Sequence, residues 1–478
     1  MLWNLAQVAG ALGVSAPGGL RGSTKLAGVS IDSRTVRSGE LFFAIRGPRH
    51  DGHDHVPAAL AGGASAAVVE SRRFDGYPEE IRCRLLAVAN TSRALQELAR
   101  NYCEAWRNAK AGRRVAAVTG SAGKTTTKEA FAALLRTRLR VLKTEGNLNN
   151  EYGLPLTLLK LCEEHDAAVI EMGMSHRGEL SQLAKIARPD IGVVTNVAPV
   201  HLEFFSSVDE IALAKRELIE GLRSSDSVAV LNADDARVTR FADVFHGRVH
   251  YFGFSDSAEF RAANLENLGI DGCVFDFYHP GGHARFQLRL AGRHNVMNVL
   301  AALAAASEWG IGTAEAREAL LELQPASLRG EVLRFAAGFT VINDCYNSNP
   351  VALEKMIDLL CATQGYRRRI LVAGAWREIG PTSAELHHAA GEYAAAKGID
   401  WIFGVEGDAR ELVRGAVDGG QPRDRTGFFE SSEEAAEFLP RFIVGGDLVL
   451  VKGSRGVHME AIAVALAQEF ALAKASKS

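Results

Sequence analysis

The chain has six cysteines and no Cys-x-x-Cys pair among them. Cys83, Cys103, Cys162, Cys273, Cys345 and Cys361 lie scattered, which argues against a zinc site or a disulfide frame and for reduced thiols in the cytoplasm. Long apolar runs are missing too, so no membrane insertion is expected. Met1-Leu2-Trp3-Asn4 lacks the basic start and apolar stretch of a secretory leader, and a cytoplasmic location is expected. Charge of one sign is also absent. A formal net charge of −3 over 478 residues argues against a general nucleic-acid binder, whose domain would be basic. There is no internal repeat and no low-complexity segment.

The length is too great for one ordinary core and suggests roughly three domains. Residues 1–105 read as a small α/β domain, with a helix from Leu2 to Leu12 and strands at 40–45, 66–69 and 85–88. The charged segment 106–114 reads as a solvated hinge. A central domain follows over residues 112–322, where apolar strands at 115–119, 167–170, 191–194 and 227–231 alternate with helical stretches. That pattern predicts a mostly parallel sheet covered on both faces. Residues 325–478 repeat the alternation, with strands at 340–342, 369–373, 401–404 and 448–451. This third domain reads as doubly wound and Rossmann-like, yet it has no G-x-G-x-x-G, so no dinucleotide site is indicated. The last residues, 471–478, read as a frayed tail. The fold class is therefore α/β in three domains.

The central strand runs straight into Thr119-Gly120-Ser121-Ala122-Gly123-Lys124-Thr125-Thr126 and then a helix. Glycines at 120 and 123 allow a tight bend and a close backbone approach to a ligand. The helix start favours negative charge. Lys124 can reach a β- or γ-phosphate, and the Thr125 hydroxyl can hold Mg²⁺. The full Walker pattern would place another glycine at 118, where this chain has Val118, so the match is to a shorter G-x-x-G-K-T-T form. The other reading is a chance glycine turn before a helix.

In parallel sheets ligands sit at the carboxyl ends of the strands. Glu171, Thr195 with Asn196, and Asn232 with Asp234 fall there. Glu171 and His201 read as ligands for a second divalent ion, or as structural residues. Lys215, among acidic neighbours on a helix, reads from the residues alone as a surface lysine in i,i+4 ion pairs. His294, Asn295 and Asn298 share one helical face that can read a base or ribose; N-capping by Asn295 is the other reading. In the first domain, Asp32-Ser33-Arg34 and Asp51-Gly52-His53 read as a diphosphate contact or as ordinary polar turns. In the third, Asp344 to Pro350, Glu378 and Lys452 to Arg455 are polar strand ends.

Together these motifs resemble the Mur ligases, the ATP-dependent amide-forming enzymes of bacterial cell-wall precursor synthesis. The resemblance rests on Thr119 to Glu129, on Glu145-Gly146-Asn147-Leu148-Asn149-Asn150-Glu151-Tyr152-Gly153-Leu154-Pro155-Leu156-Thr157, and on Tyr346-Asn347-Ser348-Asn349-Pro350 with Val451 to Arg455. Within the family it is to the branch that adds D-alanyl-D-alanine to a UDP-N-acetylmuramoyl-tripeptide. The Asp-Asn-Pro-Arg motif of the diaminopimelate- or lysine-adding branch is absent.

The resemblance implies that Ser33, Arg34, Asp51, Gly52 and His53 hold the UDP-muramoyl end, with Asn147, Asn149 and Asn150 also on the substrate side. It implies ATP on residues 119–126, with His294, Asn295 and Asn298 near the nucleoside, Arg329 at the γ-phosphate and Asp344 close by. It implies two Mg²⁺ ions, with Thr125, Glu171, His201 and a carbamylated Lys215 as metal ligands, and Lys124, Lys215, His201 and Arg329 as catalytic. Tyr346, Asn347 and Asn349 would help form the dipeptide site. A monomer is expected. The chain departs from the family pattern at Asn90, Leu328, Asn343, Cys345, Ala375 and Trp376.

Overall fold

Near-continuous apolar runs become strands buried on both faces. The structure is a computed structural model that describes residues 3–200, 203–377 and 379–473. It groups into two units: Met1–Gly120, Leu135–Thr195 and Ala212–His250 in one, and Ser121–Leu134, Asn196–Ile211 and Tyr251–Ser478 in the other.

The first unit opens with β1 (Gly28–Ser30), β2 (Glu40–Phe43), β3 (Ala66–Glu70) and β4 (Leu85–Val88), paired in that order and all parallel. Every residue of β3 is buried, as a parallel strand covered on two faces must be. The first helix is shorter than the spacing suggested and spans Leu5–Ala11, with Asn4 as its cap. Five more parallel strands follow: β5 (Arg114–Thr119), β6 (Val141–Lys143), β7 (Ala167–Glu171), β8 (Ile191–Val194) and β9 (Val228–Asn232). Their order is β6-β7-β5-β8-β9, so β5 sits between β7 and β8. After β5 the chain goes to the edge strand β6, returns to β7 beside β5, and then crosses to β8 and β9 on the other side. That is a topological switch point, where open α/β sheets leave a crevice at the carboxyl ends.

The expected hinge at 106–114 is not one. Trp106 and Arg107 lie in the last turns of the helix Thr91–Asn108, and they are buried, as is Arg113. The Trp106 indole N–H donates to the carbonyl of Cys162. Arg107 donates to the carbonyls of Ala187 and Arg188, at the end of the helix Glu179–Ala187, and to Asp190. A cation there meets the negative end of the helix dipole. Arg113 donates to the carbonyls of Trp106, Glu163 and His165. A guanidinium can be buried when its fork of donors finds enough acceptors, so a charge run does not by itself mean solvent.

The second unit contains the end of β10 (Arg248–Gly253), from Tyr251 on, and β11 (Phe260–Asn267), β12 (Cys273–His279) and β13 (Gly282–Leu288). β10 and β11 are parallel, while β11, β12 and β13 pair antiparallel. The sequence reading passed over this antiparallel segment. Its signal was a period of two: Cys273, Phe275 and Phe277 are buried, whereas Val274, Asp276 and Tyr278 between them are only partly so.

The same unit holds a six-stranded sheet of β14 (Glu331–Arg334), β15 (Thr340–Asp344), β16 (Arg368–Gly374), β17 (Trp401–Val405), β18 (Thr426–Phe429) and β19 (Asp447–Lys452). The order is β14-β15-β19-β16-β17-β18, with β14 antiparallel at the edge and the rest parallel. Adjacent residues go to opposite cores. Ile342, Leu371 and Leu450 pack with Leu353 and Ile357 on one face; Val341, Ile370 and Val449 pack with Leu439 and Ile462 on the other. Both faces are covered, which makes the sheet doubly wound. Among the described residues no helix is long and apolar enough to cross a membrane.

Candidate active site

The glycine loop leaves the carboxyl end of β5. Thr119 is buried, and its hydroxyl donates to the carbonyl of Met172. Gly120 has φ +150° and Gly123 φ +83°, followed by the helix Lys124–Arg136. The loop is held by the segment after β8. Ser121 N–H donates to Asn196 O, and Ala122 N–H donates to Asn196 Oδ1 at 3.0 Å. Asn196 Nδ2 donates back to the Ala122 carbonyl, and the Ser121 hydroxyl donates to Ala198 O. Two loop amides expected to face a ligand therefore hold the loop's shape instead.

Asn298 packs directly on the loop. A Cβ at Gly123 would lie 2.1 Å from Asn298 Oδ1, far inside contact distance. Glycine at 123 is thus required twice, by its left-handed φ and by this contact. Asn298 sits on the helix Arg293–Ser307, is buried, and donates to Asn295 Oδ1. Asn295 does not cap that helix. Gly292 is the cap residue, and Asn295 Nδ2 donates to Ala291 O. Half-buried His294, one turn earlier on the helix, has its pKa pushed down to about 4, first by burial and then by the charge of Lys355.

At the carboxyl ends of β7, β8 and β9, Glu171, Thr195 and Asn232 are buried, whereas Asn196 is partly buried and Asp234 exposed. Glu171 ends β7, accepts from Asn149 Nδ2 at 2.9 Å, and its N–H donates to the Thr144 hydroxyl. Thr195 follows β8, and Asn232 at the end of β9 donates to its carbonyl. Within the asparagine-rich stretch, exposed Asn150 accepts from Gly153 N–H and turns the chain into the helix Gly153–Leu158, while Asn147 stays exposed. Lys215 is only 2% exposed, which overturns its reading as a surface lysine. The solvated i,i+4 pair on its helix is Arg216 with Glu220 instead. His201 and Glu378 lie outside the described residues, and among those described no three acidic, histidine or cysteine side chains gather as a metal cluster.

In the second unit, Asp344 and Lys452 are register partners at the ends of β15 and β19. Lys452 Nζ donates to Asp344 Oδ2 at 2.6 Å and to Asn347 O at 2.9 Å. Asn349 caps the helix Pro350–Ala362 by accepting from Ala352 N–H. The Arg329 guanidinium lies 3.9 Å over the Tyr346 ring, and Tyr346 N–H donates to Leu328 O. Leu328, a residue that departs from the family pattern, has φ +63°, which costs a branched side chain about 1–2 kcal/mol. Buried Asn343 donates to Glu331 Oε2 on the neighbouring strand.

In the first sheet, Arg34 is exposed and forks onto Asp32 with bonds of 2.9 and 2.7 Å. Ser33 lies beside it in the same turn. His53 is buried, its Nδ1 2.6 Å from Asp51 Oδ1, while its Nε2 accepts from Glu70 N–H. The proton therefore belongs on Nδ1. Gly52 admits no side chain, because a Cβ would lie 2.7 Å from the Ile45 backbone.

Three family profiles match in succession: the Mur ligase family catalytic domain over residues 25–103, the Mur ligase middle domain over 118–306, and the Mur ligase glutamate ligase domain over 328–455. Over 439 residues the chain is 33% identical to UDP-N-acetylmuramoyl-tripeptide–D-alanyl-D-alanine ligase of Bacillus subtilis (strain 168), spanning 92% of this chain and 93% of that relative. The chain belongs to the Mur ligase family. A crystal structure of MurF from Acinetobacter baumannii matches with a TM-score of 0.87 at 30% identity, over 98% of this Mur ligase and 99% of that chain. MurF ligase from Thermotoga maritima, solved in complex with ADP, gives a TM-score of 0.77 at 27% identity, over 93% and 98% of the two chains.

As a Mur ligase the chain is an ATP-dependent amide-forming enzyme with the three-domain architecture of its family. Its glycine loop puts Lys124 at the start of the helix and Thr125 in the first turn, the residue types a triphosphate site calls for. The sequence reading did not assign Asn196 as the clamp of the loop, Lys452 as the partner of Asp344, or any role to Trp376. Asn196 and Lys452 were visible as polar strand ends, but their partners are set by strand order.

Proposed function

We propose that this Mur ligase joins D-alanyl-D-alanine to UDP-N-acetylmuramoyl-tripeptide, using ATP, in the cytoplasm. The observation that carries the reading is the end-to-end relation to a ligase of that name. The chemistry fits what a glycine loop can do. A carboxylate oxygen of the tripeptide attacks the γ-phosphorus of ATP and ADP leaves, which gives an acyl phosphate. The dipeptide amine then attacks the acyl carbon and phosphate departs, so an amide forms and the amine loses a proton. The protein's work is positioning and charge neutralisation.

In this reading residues 119–126 cradle the triphosphate, and Lys124 and Arg329 offset charge on the transferring phosphoryl group. His294, Asn295 and Asn298 lie toward the nucleoside, and Asp344 holds its place through Lys452. When bound, Mg²⁺ ions would neutralise the phosphates, one held by Thr125 and a second by Glu171, His201 and a carbamylated Lys215. Residues 1–105, through Ser33, Arg34, Asp51, Gly52 and His53, take the UDP-muramoyl end, with Asn147, Asn149 and Asn150 also contacting the substrate. Residues 112–322 bind ATP, and 325–478 take the dipeptide on Tyr346, Asn347 and Asn349.

The test is ADP release by the purified protein with the UDP-linked tripeptide and D-alanyl-D-alanine, diaminopimelate or lysine as amine. Turnover with the dipeptide alone, and a UDP-linked pentapeptide by mass, are expected. ATP hydrolysis that ignores both peptide substrates would overturn the reading.

A further inference from the structure

The turn after β16 carries a residue that departs from the family pattern, Trp376, and it is bonded to the loops after two other strands. Trp376 is 5% exposed. Its indole N–H donates to Ser348 Oγ at 2.9 Å, in the middle of the loop Tyr346–Pro350. Its backbone N–H donates to His387 Nε2, and its ring stacks on that imidazole with centroids 4.0 Å apart. His387 is fully buried, with Nδ1 2.7 Å from the Ser383 carbonyl, so Nδ1 carries the proton and Nε2 is the acceptor. The next residue, Arg377, donates its N–H to Ser454 Oγ in the loop after β19, and Ser454 N–H donates to Ala375 O.

An indole N–H is a donor only, so a buried tryptophan needs an acceptor at a fixed place. Here the acceptor is Ser348, itself buried and flanked by Asn347 and Asn349. Tyr346 N–H donates to Leu328 O, Lys452 holds Asn347 O, Asn349 caps a helix, and among the described residues Trp376 holds the Ser348 side chain between them. We propose that Trp376 is a positioning residue for the incoming dipeptide, acting through Ser348 to fix Asn347 and Asn349. The proposal rests on the dipeptide-adding reading above. It gives the departure from the family pattern at this position a physical role, since a side chain without an N–H could fill the space but could not bond the serine.

The test compares KM for D-alanyl-D-alanine, ATP and the UDP-linked tripeptide in the full-length wild type, Trp376→Phe, Ser348→Ala and the double variant. Trp376→Phe should raise the dipeptide KM roughly tenfold, the loss of one buried hydrogen bond. The other two KM values should stay within about twofold. Ser348→Ala should match it, and the double variant should add nothing, because both changes delete one bond. Ser348→Thr, which keeps the hydroxyl, should recover much of the loss. An unchanged dipeptide KM, an equal rise in all three KM values, or additive effects would overturn the proposal. Should Trp376→Phe fail to fold, Ser348→Ala with Ser348→Thr decides it, since the first deletes one oxygen and the second restores it. A wild type whose turnover ignores the dipeptide would remove the functional reading itself, and this inference with it.

Discussion

Gly123→Ala isolates the contact on which the nucleotide loop is built. Two costs are expected. A φ of +83° costs an L-residue roughly 1–2 kcal/mol, against which the stiffer unfolded chain returns about 0.4–1 kcal/mol. The second cost is steric. The new Cβ would stand 2.1 Å from Asn298 Oδ1 and 2.9 Å from its Cγ. Asn298 is buried, so its amide cannot move aside without giving up its bond to Asn295, at about 1–3 kcal/mol. Together these predict a loss of roughly 2–4 kcal/mol and a raised KM for ATP. Gly112 supplies the control: its φ is +85°, with nothing within 4 Å of a built Cβ. Gly112→Ala should therefore show only the backbone part, about 1 kcal/mol or less. Urea unfolding of both variants, and of Gly123→Ala combined with Asn298→Ala, reads the difference. In the Asn298→Ala background the alanine at 123 should be milder by at least about 1 kcal/mol. The reasoning fails if Gly123→Ala is no worse than Gly112→Ala, or if removing the Asn298 amide gives no relief.

Three further outcomes are expected. Lys124→Ala should abolish ADP release while the fold, read by circular dichroism, is kept; near-normal turnover would refute its role. Lys215→Ala should lose activity and regain part of it with small carboxylic acids, and an intact fold without rescue would count against a carbamate. His294 has a folded pKa of about 4 against an ordinary 6.5, held down by burial, Lys355 and Lys452 and opposed by Asp344. Its neutral form is favoured in the folded state, so its contribution is complete above pH 6.5 and is lost as pH falls toward 4. The loss amounts to roughly 3 kcal/mol by pH 4. His294→Gln should flatten that part of the stability profile; an unchanged acid limb would refute the assignment.

Local chemistry explains what could be read early. The strand, glycine loop and helix of 115–136 follow from apolar residues, two glycines and a helix-forming run in immediate succession, and each acts on its chain neighbours. The parallel strands were legible because burial on both faces leaves few polar positions inside them. The antiparallel segment after β9 carries the weaker alternating signal and was passed over. The charge run at 106–114 misled, because apart from the Trp106 carbonyl the oxygens that receive Arg107 and Arg113 across the fold come from residues 50 to 83 positions away.

The sequence by itself determined where the backbone must bend, which segments must be buried, and that a lysine and a threonine open a helix after a glycine turn. It also placed an acid or amide at the ends of β7, β9 and β15. The tertiary structure alone decided that Lys215 is buried, that Lys452 meets Asp344, that Asn298 fills the space a side chain at 123 would need, and that Trp376 reaches Ser348. The reason is physical: local preference depends on neighbours a few residues away, whereas burial and hydrogen-bond partners depend on strand order, which joins positions up to about a hundred residues apart.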